Sequence, residues 1–431
     1  MFKIGDANYE GKEKINNFVS WYKNKNMKIF KTIIFAMALV LTATSCNSQS
    51  KTESQEQKAK YIFLFIGDGM GFDHVSVTEA YLSWKDGVLG GSQVVFTGFP
   101  VHGSCTTHSA NSNITDSSAA GTAISTGEKT NNGHLGVDPE GNPGKSITYD
   151  LKEDGYKIGI ISSVPINHAT PGSFYANSKD RGDYYSITQQ IPASGFEYFA
   201  SAGFLGYFGE DGNSESSAEW LEKNGYDVCF GKEEFEQSSK VNERIVLCQE
   251  YNKDVEPQDY DSTGNKPEGN VSLREMLEYG ISFLGTEKPF FIMCEGGEID
   301  WTSHGNKTIP TINAIVAFSD AIAEAYEFYK QHPDETLIVV TADHATGGVS
   351  IGANGRYVTH FEELEKSWEE NGNTNNLDSK ENRKLNDKAN IGWTTDGHTG
   401  EAVPVYAVGV GAERFGGRMD NTDIKGKILG E

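Results

Sequence analysis

Residues Ile114 to Gly127 read ITDSSAAGTAISTG, and the step from Asp116 to Ser117 opens a run of small, helix-compatible residues. A hydroxyl placed at or near a helix N-terminus meets oriented N–H groups and the positive end of the dipole, which favour an alkoxide and a bound phosphate. A serine in that place also serves as a plain N-cap. No GxSxG elbow surrounds it, which disfavours a serine-esterase triad. Carboxylates and imidazoles recur elsewhere instead. Asp68 stands in Gly67-Asp68-Gly69-Met70-Gly71, and His168 and Thr170 stand in Asn167-His168-Ala169-Thr170-Pro171. Glu295, Asp300 and His304 follow one another closely, Asp343 and His344 are adjacent, and His398 lies in a glycine-flanked loop. Asp300 and His304 are spaced i,i+4, which puts both on one face of a helix. Singly, each has an ordinary reading as a cap, turn or surface residue. Together they are the donors of a polynuclear metal site, and Lewis-acid coordination is then the natural way to activate a serine.

Four of these groups each follow a short, continuously apolar run: Tyr61–Ile66, Lys157–Ile161, Pro289–Cys294 and Thr336–Val340. Unbroken apolarity predicts strands covered on both faces, as in a parallel sheet with helices outside. Ile312, Ile315, Val316, Ser319, Ile322, Ala323 and Tyr326 fall on one helical face. The expected class is α/β: a three-layer αβα sandwich around a large, mostly parallel central sheet. Ligands bind outside the carboxyl ends of such strands, so one sheet edge would gather the donors. The acidic block from about Ser214 to Glu268 is expected as a crown or lid over the site. The Asn/Lys/Glu-rich stretch from Glu369 to Asn390 reads as a solvated insertion. The catalytic domain would then span 61–431, with insertions at about 205–285 and 353–392.

The chain has 431 residues, 61 acidic against 37 basic, and a net charge of −24, which excludes a nucleic-acid-binding surface. Five cysteines without CxxC spacing exclude zinc-finger and thioredoxin chemistry. Met27 to Ser45 is a basic start, an apolar run and small residues, too short to span a bilayer comfortably and suited to export. It ends at Cys46 in a manner that resembles a bacterial lipoprotein signal. The expected product is a periplasmic or outer-membrane lipoprotein, held to the membrane only through Cys46. Residues 1–26 then read as a mis-assigned upstream start and 46–60 as a tether. A secreted chain can form disulfides, and Cys229 with Cys248 is the expected pair by proximity.

The ordered motifs Gly67–Gly71, Thr115-Asp116-Ser117, His168-Ala169-Thr170-Pro171, Glu295-Gly296-Gly297 with Asp300 and His304, Thr341-Ala342-Asp343-His344 and His398-Thr399-Gly400 closely resemble those of bacterial alkaline phosphatases. The resemblance covers Tyr61 to Gly411. It implies hydrolysis of phosphate monoesters through a phosphoserine on Ser117, at two zinc ions and one magnesium, by a homodimer acting on small molecules. Asp300, His304 and His398 match the first zinc site. Asp68, Asp343 and His344, with the Ser117 oxygen, match the second. Asp68, Thr170 and Glu295 match the magnesium site, and Arg181 matches the arginine that grips phosphate. Enteric-type members carry aspartate and lysine where this chain has His168 and Trp301. A histidine nitrogen would let the third site take zinc or another transition metal, and Trp301 replaces a cationic phosphate contact. The alternatives are a related phosphodiesterase or other phosphoryl-transfer enzyme, and a lipoprotein that only binds phosphate or metal.

Overall fold

The computed structural model describes residues 58–209, 212–249, 270–370 and 377–431. The expectations placed on residues 1–46, and on the greater part of the tether, lie outside the described residues. Ten strands form one sheet: β1 (Tyr61–Gly67), β2 (Val101–Thr106), β3 (Lys157–Ser162), β4 (Tyr198–Ser201), β5 (Asp227–Phe230), β6 (Ile245–Cys248), β7 (Phe290–Gly296), β8 (Thr336–Thr341), β13 (Val403–Gly409) and β14 (Gly417–Asp420). Four short strands complete two small pairs: β9 (Ala345–Thr346) with β12 (His398–Thr399), and β10 (Val349–Ile351) with β11 (Ile391–Trp393). The large sheet runs β14-β2-β13-β8-β1-β7-β3-β4-β6-β5. Only β13 runs against its neighbours, so the sheet is mostly parallel, with helices on both faces.

The four apolar runs are β1, β3, β7 and β8, and they are contiguous in the sheet. Every residue of β1, β7 and β8 is buried, as unbroken apolarity requires of central parallel strands. Register aligns Gly67 with Gly296 and Ser162 with Glu295, so these strands end at nearly the same level. Their last residues therefore open onto one edge.

The helices include α1 (Phe72–Lys85), α2 (Ser117–Thr126), α3 (Ala169–Gly172), α4 (Ser217–Lys223), α5 (Gly231–Ser238), α6 (Leu273–Leu284), α7 (Glu298–His304), α8 (Thr308–Gln331), α9 (Phe361–Glu370) and α10 (Ser379–Lys388). On α8, Ile312, Ile315, Ser319 and Ile322 are buried as their spacing predicts, while Val316, Ala323 and Tyr326 at the edge of that stripe are half-buried.

Two expectations are corrected. The described part of the block from Ser214 is not a lid over the site. Its strands β5 and β6 continue the sheet beyond β4 at the far edge, because Ile245–Cys248 is itself a fully buried apolar run. Within the stretch from β10 to β11, Phe361, Leu364, Trp368 and Ile391 pack with Val77 and Tyr81 of α1 in a separate small core. Nor are Cys229 and Cys248 bridged: both are buried thiols. Register sets Cys229 beside Leu247 and Phe230 beside Cys248, so the two thiols are one residue out of step and point to opposite faces of the sheet.

Candidate active site and metal centre

Ser117 is the first residue of α2, and the cap is Asp116, whose carboxylate accepts from the Ala119 N–H at 2.9 Å. The serine hydroxyl is thereby left free of capping duty. Its Oγ lies 3.2 Å from His344 Nε2. The same Nε2 is 3.3 Å from Asp68 Oδ1 and 3.3 Å from Asp343 Oδ2. The end of β1 and the end of β8 thus meet over Ser117.

Asp68 follows β1 in a turn that needs Gly69 at φ 74°, and a Cβ there would stand 2.8 Å from Thr346 Oγ1 and 3.1 Å from the Asp300 Cβ. The Gly69 N–H donates to Asp343 Oδ1 at 3.1 Å, tying the two strand ends together. After β7 the chain turns at once into α7, which sets Asp300 and His304 on one face, Oδ2 to Nε2 at 3.2 Å. The β9–β12 pairing carries His398 to the same place, its Nε2 3.6 Å from Asp300 Oδ1. After β3, α3 brings His168 and Thr170 against the opposite wall, where Thr170 Oγ1 lies 3.5 Å from Asp343 Oδ2.

Ligating atoms converge in three groups: Asp300 with His304 and His398, Asp68 with Asp300 and His344, and Asp68 with His168 and Glu295, each within 4.8 Å. Asp68 belongs to two of them, and His168 joins Asp68 and Glu295 directly. Details of the shell fit cations. The Nδ1 of His398 reaches the Thr115 carbonyl at 2.8 Å and that of His304 reaches the Asp396 carbonyl at 2.6 Å. A carbonyl only accepts, so Nδ1 carries a proton and Nε2 is the nitrogen left to meet a metal. Both oxygens of Asp68, Glu295 Oε1 and His168 Nδ1 are buried and have no hydrogen-bond partner among the described residues.

Four carboxylates in one dry cleft cost several kcal/mol each unless positive charge compensates them. Burial accordingly pushes Asp68 and Asp343 well up, helped by Asp343 and Asp300 in the first case and by Asp300 in the second. Burial also lifts Glu295 to about 7. For Asp300 burial acts the same way, but its hydrogen bond to His304 and the neighbouring imidazoles outweigh it and hold the group low. The Asp300 bond lifts His304 to about 9. Burial, with Arg181 adding to it, holds His168 down at about 3. Such a cluster is relieved by divalent cations.

Arg181 donates from one guanidinium nitrogen to Asp116 Oδ2 at 3.2 Å, and the other lies 3.2 Å from His168 Nε2. Trp301 stands edge-on to the His168 ring at 5.7 Å, and its indole N–H makes no hydrogen bond among the described residues. All twelve expected site residues therefore gather at one sheet edge. Sequence reasoning missed the supporting polar residues. Thr346 Oγ1 donates to Asp300 Oδ1 at 2.5 Å and lies 3.2 Å from His344 Nδ1. Ser162 hydrogen-bonds Glu295 Oε2. Asp116 at once caps α2, holds Arg181 and accepts from the Gly133 N–H. His74 is buried; its Nδ1 accepts from the Gly71 N–H and its Nε2 lies 3.2 Å from Ser303 Oγ on α7. A hydroxyl two residues beyond a ligand, as in Asp343-His344-Ala345-Thr346, was the available signal for Thr346.

The sheet, a serine at a helix start and three converging groups of ligand-type side chains are the architecture of a metal-binding hydrolase. The alkaline phosphatase family model matches residues 59–201 and 211–429, and the chain belongs to the alkaline phosphatase family. It is 31% identical to alkaline phosphatase 3 of Bacillus subtilis, over 84% of this chain and 87% of that protein. It is 30% identical to alkaline phosphatase 4 of the same organism, over 83% and 85%. Among solved structures it is similar to the alkaline phosphatase of the Antarctic bacterium TAB5, with a TM-score of 0.69, 30% identity, and coverage of 87% of this chain and 98% of that one. Variants of the TAB5 enzyme with one histidine changed to glutamate or aspartate hold magnesium in the M3 site.

Proposed function

We propose that this chain hydrolyses phosphate monoesters, with Ser117 carrying the phosphoryl group between two displacements. The observation that carries this reading is the position of Ser117 Oγ, at the first residue of α2 and 3.2 Å from His344 Nε2, among ligand groups that share Asp68. Asp300, His304 and His398 would hold one zinc, and Asp68, Asp343 and His344 a second. Asp68, Glu295, Thr170 and His168 would hold the third ion, magnesium, or a transition metal if the His168 nitrogen ligates. When bound, these ions supply Lewis-acid stabilisation of the oxyanion charge that develops.

The chain does the rest. The first-turn N–H groups of α2 face the incoming phosphate. Arg181, steadied by Asp116, offers two donors to two phosphate oxygens, a fork an ammonium could not match. Ser117 Oγ forms the bond to phosphorus as the alcohol oxygen leaves with its electron pair. Water then takes the phosphoryl group and the serine oxygen regains its proton. Trp301 against His168 removes a cationic phosphate contact and leaves product more weakly held. Export, anchoring through Cys46 and assembly as a homodimer belong to the same proposal, the first two resting on the signal-like run at 27–45.

The test is p-nitrophenyl phosphate turnover with and without chelator. Chelation abolishes turnover, and zinc with magnesium restores more than either alone. Full restoration by calcium alone, or turnover indifferent to chelation, overturns the reading.

A further inference from the structure

At the opposite end of the sheet from Ser117, a recess of about 600 Å³ lies under the starts of four neighbouring strands. Lys288 precedes β7, Lys157 opens β3, Glu197 precedes β4 and Arg244 precedes β6, and all four line the recess together with Lys152 from the segment before β3. These strands are mutually parallel and adjacent in the order β7-β3-β4-β6, so topology sets Lys288, Lys157 and Arg244 along one sheet edge, with Glu197 between the last two. The recess is lined by four cationic and two acidic side chains in a molecule of net charge −24.

Glu197 does not use up the cations. Glu197 is taken by Lys152, Nζ to Oε1 at 2.5 Å, and by the Ile158 N–H. Lys157 gives its ammonium to the Leu284 carbonyl at 2.5 Å, which leaves its charge uncancelled. Arg244 lies over the Tyr226 ring at 5.9 Å, and neither it nor Lys288 makes an ion pair among the described residues. One wall is aromatic: Tyr279 of α6 stacks on Phe235 of α5 at 4.8 Å and 25°, with Phe283 beside it. Beyond about 8–10 Å the acidity of the rest of the surface is screened at ordinary salt, so the local field decides what enters.

We propose that this recess binds a small molecule carrying a doubly charged oxyanion on a flat apolar body. Arg244 and Lys288 meet the oxyanion, and the Tyr279–Phe283 wall takes the body by stacking. The site is separate from the nucleophile and does not depend on the function proposed above.

Adenosine monophosphate is the probe, titrated calorimetrically into the metal-loaded Ser117→Ala protein so that no turnover occurs. Two classes of site are expected. Arg244→Glu with Lys288→Glu removes one class, weakening it by roughly a hundredfold through loss of two charge-assisted contacts, and leaves the other intact. The same pair placed in the Ser117 protein leaves p-nitrophenyl phosphate turnover unchanged. Inorganic phosphate fills the sensitive class more weakly than the nucleotide does. If the charge-reversed pair does not fold, Arg244→Gln with Lys288→Gln carries the same comparison. A single class indifferent to these changes overturns the proposal, as does equal affinity for phosphate and nucleotide at the sensitive class. A single class that these changes remove supports the recess and counts against the proposed catalytic site alone.

Discussion

Asp116 and Ser117 sit side by side and divide the work at the start of α2. Because the aspartate caps the helix, the serine is free to react, and Ser117→Ala is expected to fold, keep its metals and lose at least about a thousandfold in turnover. Ser118, whose hydroxyl donates to Asp116 Oδ2 at 2.9 Å, is on the wrong side of the cap, so Ser118→Ala stays active; the reverse pattern would mean the nucleophile is misassigned. Asp116→Asn keeps the cap on Oδ1 and gives up what Oδ2 accepts. An asparagine caps as well as an aspartate, so the fold should survive with a melting temperature lowered by the lost Gly133 bond, about 1 kcal/mol, while Arg181 loses its charged partner and KM for monoesters rises by roughly tenfold, the worth of one charge-assisted bond. Steady-state kinetics beside a melting curve separates grip from fold. At His168 the nitrogen can be exchanged for oxygen: His168→Asp should raise the dependence of activity on magnesium, and a magnesium titration that superimposes on the parent's would show that His168 does not tune the third site.

At the scale of elements, the site exists because four strand ends stop at one level and α2, α3 and α7 start there. The turn after β1 has no room to spare. Gly69→Ala adds a Cβ 2.8 Å from Thr346 Oγ1 in a left-handed conformation, which should cost about 1–3 kcal/mol and push Thr346 off Asp300. Calorimetric melting and zinc affinity should fall together; an unaltered zinc affinity would mean that this turn does not set the ligand geometry. Much of this was legible in the amino-acid order. The unbroken apolar runs announced buried parallel strands, and the residues after them announced a gathering of carboxylates and imidazoles, since composition and spacing are local properties. What was not legible depends on register and on distant partners. Ile245–Cys248 is as apolar as the other runs, but four residues beside an acidic block gave no sign that they extend the sheet rather than roof the site. The separation of Cys229 from Cys248 is a one-residue offset between β5 and β6 that no spacing encodes. Thr346, Ser162 and Asp116 are ordinary polar residues until the fold brings Asp300, Glu295 and Arg181 to them.

For the whole molecule, metal binding and stability are one equilibrium read at different pH. Without metal, Glu295 titrates near 7 rather than 4.5 and His304 near 9 rather than 6.5. Both hold their protons more tightly folded than unfolded, so the stability they contribute is lost as pH rises through those values. Burial holds His74 near 4 and His168 near 3, and these act oppositely, but only below about 6.5, where the unfolded chain takes up the proton. Between pH 6.5 and 9 nothing from these two histidines offsets the loss. The melting temperature of the metal-free protein should therefore fall across that window, and the gain on adding zinc and magnesium should grow; a gain independent of pH would contradict the coupling. The most direct test of the chemistry is covalent. Metal-loaded protein mixed with excess monoester, quenched in acid and digested, should yield a peptide phosphorylated at Ser117 by mass spectrometry, and chelated protein should yield none. Phosphate found on another residue, or undiminished turnover with no phosphate on Ser117, would contradict a reaction that passes through this serine.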